Sequence, residues 1–170
     1  SVAQVLKPGD TIILESTSPV GTTEQLRDAI AAARPDLALP GLAGGTPDVS
    51  IAYCPERVLP GRILEEVINN PRVIGGLTRK CAQRALALYR IFARGECRVT
   101  MARTAELSKL TENAFRDVNI AFANELASVC DRLKINPWEL SKLANLHPRV
   151  NILQPGPGVG GHGIAVDPWF

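Results

Sequence analysis

A chain of 170 residues with 45% hydrophobic and 21% charged residues has the balance of a soluble globular protein, one domain or one and a fraction. Its formal net charge is +2, and its basic residues are scattered (Arg27, Arg34, Arg57, Arg62, Arg72, Arg79, Lys80, Arg84), with no Lys/Arg run to track nucleic acid. Aromatic residues make up 5%, which argues against a base-stacking platform.

Residues 1–6 read as the end of a helix closed by Pro8-Gly9. Thr11-Ile12-Ile13-Leu14-Glu15 is β-branched and apolar on both faces, as a buried parallel strand requires. Residues 16–23 form a turn in which Thr22 or Thr23 caps a helix from about 24 to 33, with Leu26, Ile30 and Ala33 on one face. After a Gly-rich loop at 40–48, Val49 to Cys54 is a second strand. A helical turn at 65–69 and a third strand, Arg72 to Gly76, follow. Thr78 caps a helix to about Phe92 whose face is Cys81, Ala85, Leu88 and Phe92. Arg98 to Met101 is a fourth strand.

This alternation predicts an α/β fold with a mostly parallel sheet. At residue 104 the period changes. Leu107, Leu110, Ala114, Val118, Ala121, Phe122, Leu126, Val129 and Leu133 mark one long amphipathic helix over 104–133. Thirty residues span roughly 45 Å, which suggests packing against another copy or a second domain. Asn136-Pro137 ends it, and 138–146 is a shorter helix. Residues 154–170 hold five glycines and three prolines, a density no regular element tolerates.

The cysteines Cys54, Cys81, Cys97 and Cys130 form no CxxC pair, and with two histidines they make no zinc set. Reduced, buried thiols in a cytosolic protein are the expectation. No signal peptide and no apolar run near 18 residues is present, so no membrane span is expected. The only methionine is Met101 and the chain stops abruptly after Asp167-Pro168-Trp169-Phe170. We read it as a piece of a longer protein.

Ligands of open α/β sheets sit beyond the carboxyl ends of strands. Two segments hold that position. In Glu15 to Thr22, hydroxyls and exposed amides suit a diphosphate or a water; the bland alternative is a capped turn. In Pro55-Glu56-Arg57, Glu56 is either a general base or substrate ligand, or half of a surface Glu–Arg pair. On the long helix Lys109 and Asn113 share a face, with Asn124 close to it; they bind an oxyanion or sugar hydroxyl, or form a solvated face. In the last loop Asp167 is a candidate base or lysine orienter, and His162 is a ligand or an ordinary loop residue. The dinucleotide fingerprint G-x-G-x-x-G is missing, and Gly156-x-Gly158-x-Gly160-Gly161 has the wrong spacing and precedes no helix.

Taken in order, Glu15-Ser16-Thr17-Ser18-Pro19-Val20-Gly21-Thr22, Tyr53-Cys54-Pro55-Glu56-Arg57-Val58-Leu59-Pro60-Gly61, Glu106-Leu107-Ser108-Lys109-Leu110-Thr111-Glu112-Asn113, Asn119 to Leu126 and the terminal loop resemble the nucleotide-sugar 6-dehydrogenases. His147-Pro148-Arg149-Val150-Asn151-Ile152 and the Pro-Glu-Arg-Val-Leu-Pro-Gly run are most similar to the UDP-N-acetyl-D-mannosamine branch. The resemblance implies the C-terminal part of a Rossmann-like NAD-binding domain (1–102), then a central helical dimerisation domain with the active-site loop (103–170). It implies a homodimer through helix 104–133, a cytoplasmic oxidoreductase of polysaccharide biosynthesis, NAD as cofactor and a UDP-sugar as substrate.

The family oxidises a sugar C6 alcohol to a carboxylate, reducing two NAD, through a cysteine thiohemiacetal and thioester. Carried across, Lys109 and Asn113 bind the reacting oxygen. Asp167 orients water or the lysine. Glu56, with Arg57, binds substrate, and Glu56 relays protons. Thr17, with Ser16 at the cofactor, places water near the nicotinamide. Gly160 and Gly161 line the substrate, and Arg149 reaches a substrate, its own or the partner subunit's. One position departs: the cysteine of the family's Gly-Gly-x-Cys pattern is Gly163 here, while Asp167 keeps its place four residues on. Glycine has no nucleophile, so a catalytically inactive dimerisation or binding fragment stands as the alternative. An unrelated α/β reductase is the third reading.

Overall fold

Ser50–Tyr53 is buried along its whole length, and the first half of the molecule is layered on it. The computed structural model describes residues 2–42, 44–58, 61–161 and 163–170. In chain order the elements are β1 (Thr11–Leu14), α1 (Thr22–Ala33), β2 (Ser50–Tyr53), α2 (Ile63–Asn69), β3 (Arg72–Gly76), α3 (Arg79–Tyr89), β4 (Cys97–Met101), α4 (Ala102–Leu133) and α5 (Pro137–Ala144). Short 3-10 turns occupy Val2–Val5 and Asp167–Trp169. The chain forms two compact units, residues 1–109 and 110–170.

The first unit is a four-stranded sheet in the order β1-β2-β3-β4. β1 and β2 are parallel, with Thr11 opposite Ser50 and Leu14 opposite Tyr53. β3 and β4 are parallel as well. β2 meets β3 antiparallel, Tyr53 opposite Gly75. The expectation of a mostly parallel sheet is met by two pairings, and the third turns β3 and β4 against the first two strands. Successive side chains on β2 serve opposite faces. Val49 and Ile51 pack with Leu6, Ile30, Leu37 and Leu39. Ala52 and Cys54 pack with Ile74, Ala85, Leu86 and Tyr89. α1 and α3 therefore cover the two sides, as parallel strands require.

Several local expectations shift. β1 was expected to be buried on both faces but is half-buried, because it ends the sheet among the described residues. α3 is capped by Thr78 Oγ1, which accepts from the Cys81 N–H, as expected. Its buried face is Cys81, Ala82, Ala85, Leu86 and Tyr89, while Leu88 and Phe92 point outward. The face is turned by one residue because α3 packs across several strands at once rather than along one seam. α2 is a full helix where a single turn was expected.

Two glycines let α3 and α4 start hard against the sheet. A Cβ on Gly76 would lie 2.4 Å from the Ala82 nitrogen and from the Thr78 oxygen. One on Gly75 would lie 2.7 Å from the Ala105 Cβ and 2.8 Å from the Ala102 Cα. The first turns of α4 rest on the bare backbone of β3.

In the second unit α4 closes with Lys134 in the left-handed region (φ 58) and a bond from the Ile135 N–H to the Cys130 carbonyl. Asn136 then caps α5, its Oδ1 accepting from the Trp138 and Glu139 amides, with Pro137 in the first turn. The apolar helix face read from the sequence divides. Of that face only Leu110 is buried; Ala114 and Leu126 are half-buried, and Leu107, Val118, Ala121, Phe122, Val129 and Leu133 are exposed. The buried side is filled instead by Ala123 and Cys130, while Phe115 joins Val118, Phe122, Val129 and Leu133 in an exposed stripe at spacings of three, four and seven. No helix among the described residues is long and apolar enough to cross a membrane. Cys54, Cys81 and Cys130 are buried and Cys97 is half-buried, all as free thiols.

Replacing Gly75 by alanine is expected to destabilise the fold by about 1–3 kcal/mol, because the methyl group meets backbone rather than movable side-chain ends. The urea unfolding midpoint measures it.

Candidate active site

The carboxyl ends of β1 and β2 lie on one edge of the sheet, since the two strands are parallel. The loops that leave them are tied together. The Cys54 N–H donates to the Leu14 carbonyl at 2.9 Å, and the Glu56 N–H to the Glu15 carbonyl at 3.2 Å. Tyr89 supports them from α3, its hydroxyl donating to Glu15 Oε1 at 2.6 Å. The buried Arg72 guanidinium lies 4.7 Å from the centre of the Tyr89 ring and donates to the Val67 carbonyl at 2.7 Å. Burial pushes the Cys54 thiol up, against an opposing pull from Tyr89 and Arg72. Burial also drives the Tyr89 phenol far above the ordinary tyrosine range, and its bond to Glu15 adds to the rise.

At the start of α1 the Gly21 and Thr23 amides are already taken. Gly21 adopts φ 97 and the helix has no side-chain cap of its own. Glu106, with no solvent exposure, takes that role from α4. Its Oε2 accepts the Gly21 N–H at 2.6 Å; its Oε1 accepts the Thr23 N–H at 2.8 Å and the Thr23 hydroxyl at 2.6 Å. A negative carboxylate satisfies the orphan amides and the positive end of the helix dipole together. Capping by Thr22 or Thr23 is thus replaced: Thr23 donates to the cap, and Thr22 Oγ1 donates to the Pro19 carbonyl. The suggestion that the amides of this turn hold a diphosphate fails at Gly21 and Thr23, which Glu106 already occupies. An exposed ion pair of Arg103 with Glu24 lies beside it, at 2.8 Å.

In the second unit three asparagines pin the loop that follows α5. Asn145 clamps Ile152 at both backbone groups, its Nδ2 donating to the carbonyl at 3.0 Å and its Oδ1 accepting the N–H at 2.7 Å. Asn124 Oδ1 accepts from the Gly156 N–H at 2.8 Å. Asn113 Nδ2 donates to Asp167 Oδ2, both residues being buried. The Asp167 and Val166 amides close a turn on the Gly163 carbonyl at 2.8 and 2.9 Å. A Cβ built on Gly163 would lie 3.0 Å from Asp167 Oδ2 and 3.3 Å from Asn113 Nδ2. Position 163 therefore aims any side chain at the Asn113–Asp167 pair.

The other expected site residues are placed as follows. Ser16 is exposed and its carbonyl accepts from Ser18 Oγ at 2.9 Å; Thr17 is half-buried. Glu56 is exposed, and its Oε1 accepts the Arg57 and Val58 amides at 2.7 and 2.6 Å, so its carboxylate is turned onto its own loop. Arg57 is half-buried and donates to the Pro71 carbonyl at 3.4 Å. Lys109 is half-buried at the end of the first unit. Arg149 is exposed, its N–H donating to His147 Nδ1 at 3.3 Å. Gly160 and Gly161 are exposed loop residues, Gly161 at φ 108. His162, with Leu59 and Pro60 of the second motif, lies outside the described residues. Among the described residues no group of His, Cys, Asp and Glu is arranged to hold a metal ion.

Glu106, Tyr89, Arg72 and Asn145 had no role in the sequence reading. For Glu106 a signal existed: it is four residues after Ala102 and four before Leu110, a lone acid on a buried face.

Comparison with known proteins gives a family. The profile of the NAD binding domain of the UDP-glucose/GDP-mannose dehydrogenase family matches residues 1–93, and that of its central domain matches residues 103–170. The chain belongs to this family. The family is one of dehydrogenases, and residues 1–93 match its NAD binding domain. It is 69% identical over 170 residues to a UDP-N-acetyl-D-mannosamine dehydrogenase of Yersinia pestis, covering all of this chain and 40% of that protein. It is 64% identical, with the same coverage, to an NDP-N-acetyl-D-galactosaminuronic acid dehydrogenase of Ralstonia nicotianae. Among solved structures, a UDP-D-ManNAc dehydrogenase from Pyrococcus horikoshii superposes with a TM-score of 0.91 at 45% identity, covering 99% of this chain and 38% of that one. The native UDP-N-acetyl-mannosamine dehydrogenase of Staphylococcus aureus gives 0.84 at 50% identity, covering 100% and 40%. The chain thus spans about two fifths of the length of the relatives it matches.

The raised Tyr89 phenol sets a pH dependence. The folded protein keeps this proton where an unfolded tyrosine, with a pKa near 10, loses it. Its contribution to stability is complete below about pH 10 and is lost as pH rises further, by up to about 1.4 kcal/mol per unit. Between about pH 10 and 11 the urea midpoint of the parent should fall more steeply than that of Tyr89→Phe.

Proposed function

We propose that the chain is part of an NAD-dependent UDP-N-acetyl-D-mannosamine 6-dehydrogenase, oxidising the C6 alcohol to the carboxylate of UDP-N-acetyl-D-mannosaminuronate for surface polysaccharide synthesis. Residues 1–102 are the C-terminal part of its NAD-binding domain and 103–170 its central helical domain with the reaction loop. The observation that carries this reading is position 163, whose side-chain direction meets Asn113 and Asp167 together. A cysteine there would sit against an amide donor and a carboxylate, the neighbours a nucleophile of acyl chemistry needs.

In this reading Lys109 and Asn113 bind the reacting oxygen and stabilise the oxyanion, and Asp167 orients water or the lysine. Glu56 and Arg57 serve the substrate, and Glu56 moves protons once it leaves the amides that it now accepts from. Gly160, Gly161 and Arg149 contribute to substrate binding. Thr17 positions the attacking water. For NAD the donor set of this chain is telling. Ser16 and Thr17 offer uncharged hydroxyls, which suit the carboxamide and ribose, while the α1 amides that would suit phosphate are held by Glu106. When bound, NAD supplies the hydride acceptor.

The exposed stripe of Phe115, Val118, Phe122, Val129 and Leu133 supports a homodimer through α4. A second reading has its own observation: Gly163 supplies no nucleophile, which favours a catalytically inactive dimerisation or binding fragment.

In the full-length protein, Gly163→Cys is expected to raise NADH formation with UDP-N-acetyl-D-mannosamine by about a hundredfold or more, with the carboxylate as product. UDP-glucose serves as the comparison substrate. Equal inertness of the glycine and cysteine forms toward every nucleotide sugar leaves the second reading standing. Val118→Asp with Phe122→Asp should convert the dimer to monomer in sedimentation equilibrium.

A further inference from the structure

We propose that Glu106 is a positioning residue of this dehydrogenase, holding the Thr17 loop and the Lys109 turn of α4 as one body. The inference rests on the proposed dehydrogenase reading.

Glu106 is fully buried, and its carboxylate is held by three donors from Gly21 and Thr23. Those donors begin α1 at the point where loop 15–21 ends. The other end of that loop is fixed by the Tyr89–Glu15 bond and by the Glu56 N–H on the Glu15 carbonyl. Thr17 thus lies in a short segment anchored on both sides. On the other partner, Glu106 precedes Lys109 by three residues, just under one helical turn. Ala102 and Ala105, which rest on Gly75, fix the same stretch of α4 from the sheet side.

The geometry leaves little freedom for substitution. Glutamine has the same shape but offers one acceptor oxygen, so either Gly21 or Thr23 would face an NH2 group instead of an acceptor. Aspartate keeps both acceptors but is shorter by one methylene. The loop would retreat from α4 in the first case and be drawn toward it in the second. Small displacements of this kind act on the reaction step more than on ground-state binding.

The test uses the full-length protein carrying Gly163→Cys, at a temperature where circular dichroism shows every variant folded. Glu106→Gln should lower kcat by about a hundredfold, leave KM for the UDP-sugar and for NAD within about threefold, and expose a primary isotope effect with the 6,6-dideuterated sugar. Glu106→Asp should restore part of kcat. Should Glu106→Gln not fold, Thr23→Val removes one of the three donors without changing shape and should lower kcat several-fold with the same signature. Unchanged kcat per folded molecule in either variant, with an active parent, overturns the positioning role and leaves the dehydrogenase reading intact. An inactive parent overturns both.

Discussion

The buried Glu106 carboxylate is the interaction on which the first unit depends. A carboxylate with no access to water costs of order several kcal/mol unless it is fully hydrogen-bonded. Here the bonds come from a helix start that itself lacks a side-chain cap. Each partner answers the other's unsatisfied group. The geometry that lets them meet comes from smaller facts: Gly75 and Gly76 admit the two helices to the sheet, and Ala102 and Ala105 keep α4 low enough for the next residue to reach α1. A chain of small residues thus delivers one charge to one helix end.

The second unit solves a similar problem with neutral amide side chains. Its Gly- and Pro-rich tail has almost no regular structure, and its backbone groups need partners. Asn145 and Asn124 provide them at Ile152 and Gly156, and Asn113 holds the side-chain carboxylate of Asp167. The amide side chain suits this task because it offers donor and acceptor together. Position 163, lacking a side chain, sits against the last of these contacts.

Much of this was legible in the sequence where the physics is local. Arg72 to Gly76 was read as a strand with the observed limits, Thr78 as a cap, and Asn136-Pro137 as the break between two helices. These rest on φ restriction and on hydrogen bonds spanning two or three residues. The Rossmann-like layering followed from alternation. What escaped is long-range. The Glu106 cap reaches 83 and 85 residues back, and the Tyr89–Glu15 bond spans 74, so no window of local pattern contains either. The face of α3 was misjudged because Leu88 and Phe92 are apolar but outward, an outcome fixed by sheet packing rather than by composition. At the candidate site the resemblance supplied the residue names, and only the fold brought Asn113, Gly163 and Asp167 into one cluster.

Amide hydrogen exchange at Gly21 and Thr23 in the cofactor-free full-length protein tests the central constraint most directly. If the Glu106 carboxylate accepts both amides, they exchange as slowly as the core amides of Ile51 and Ala52 in β2. Exchange as fast as at the exposed glycines Gly44 and Gly45 would contradict it.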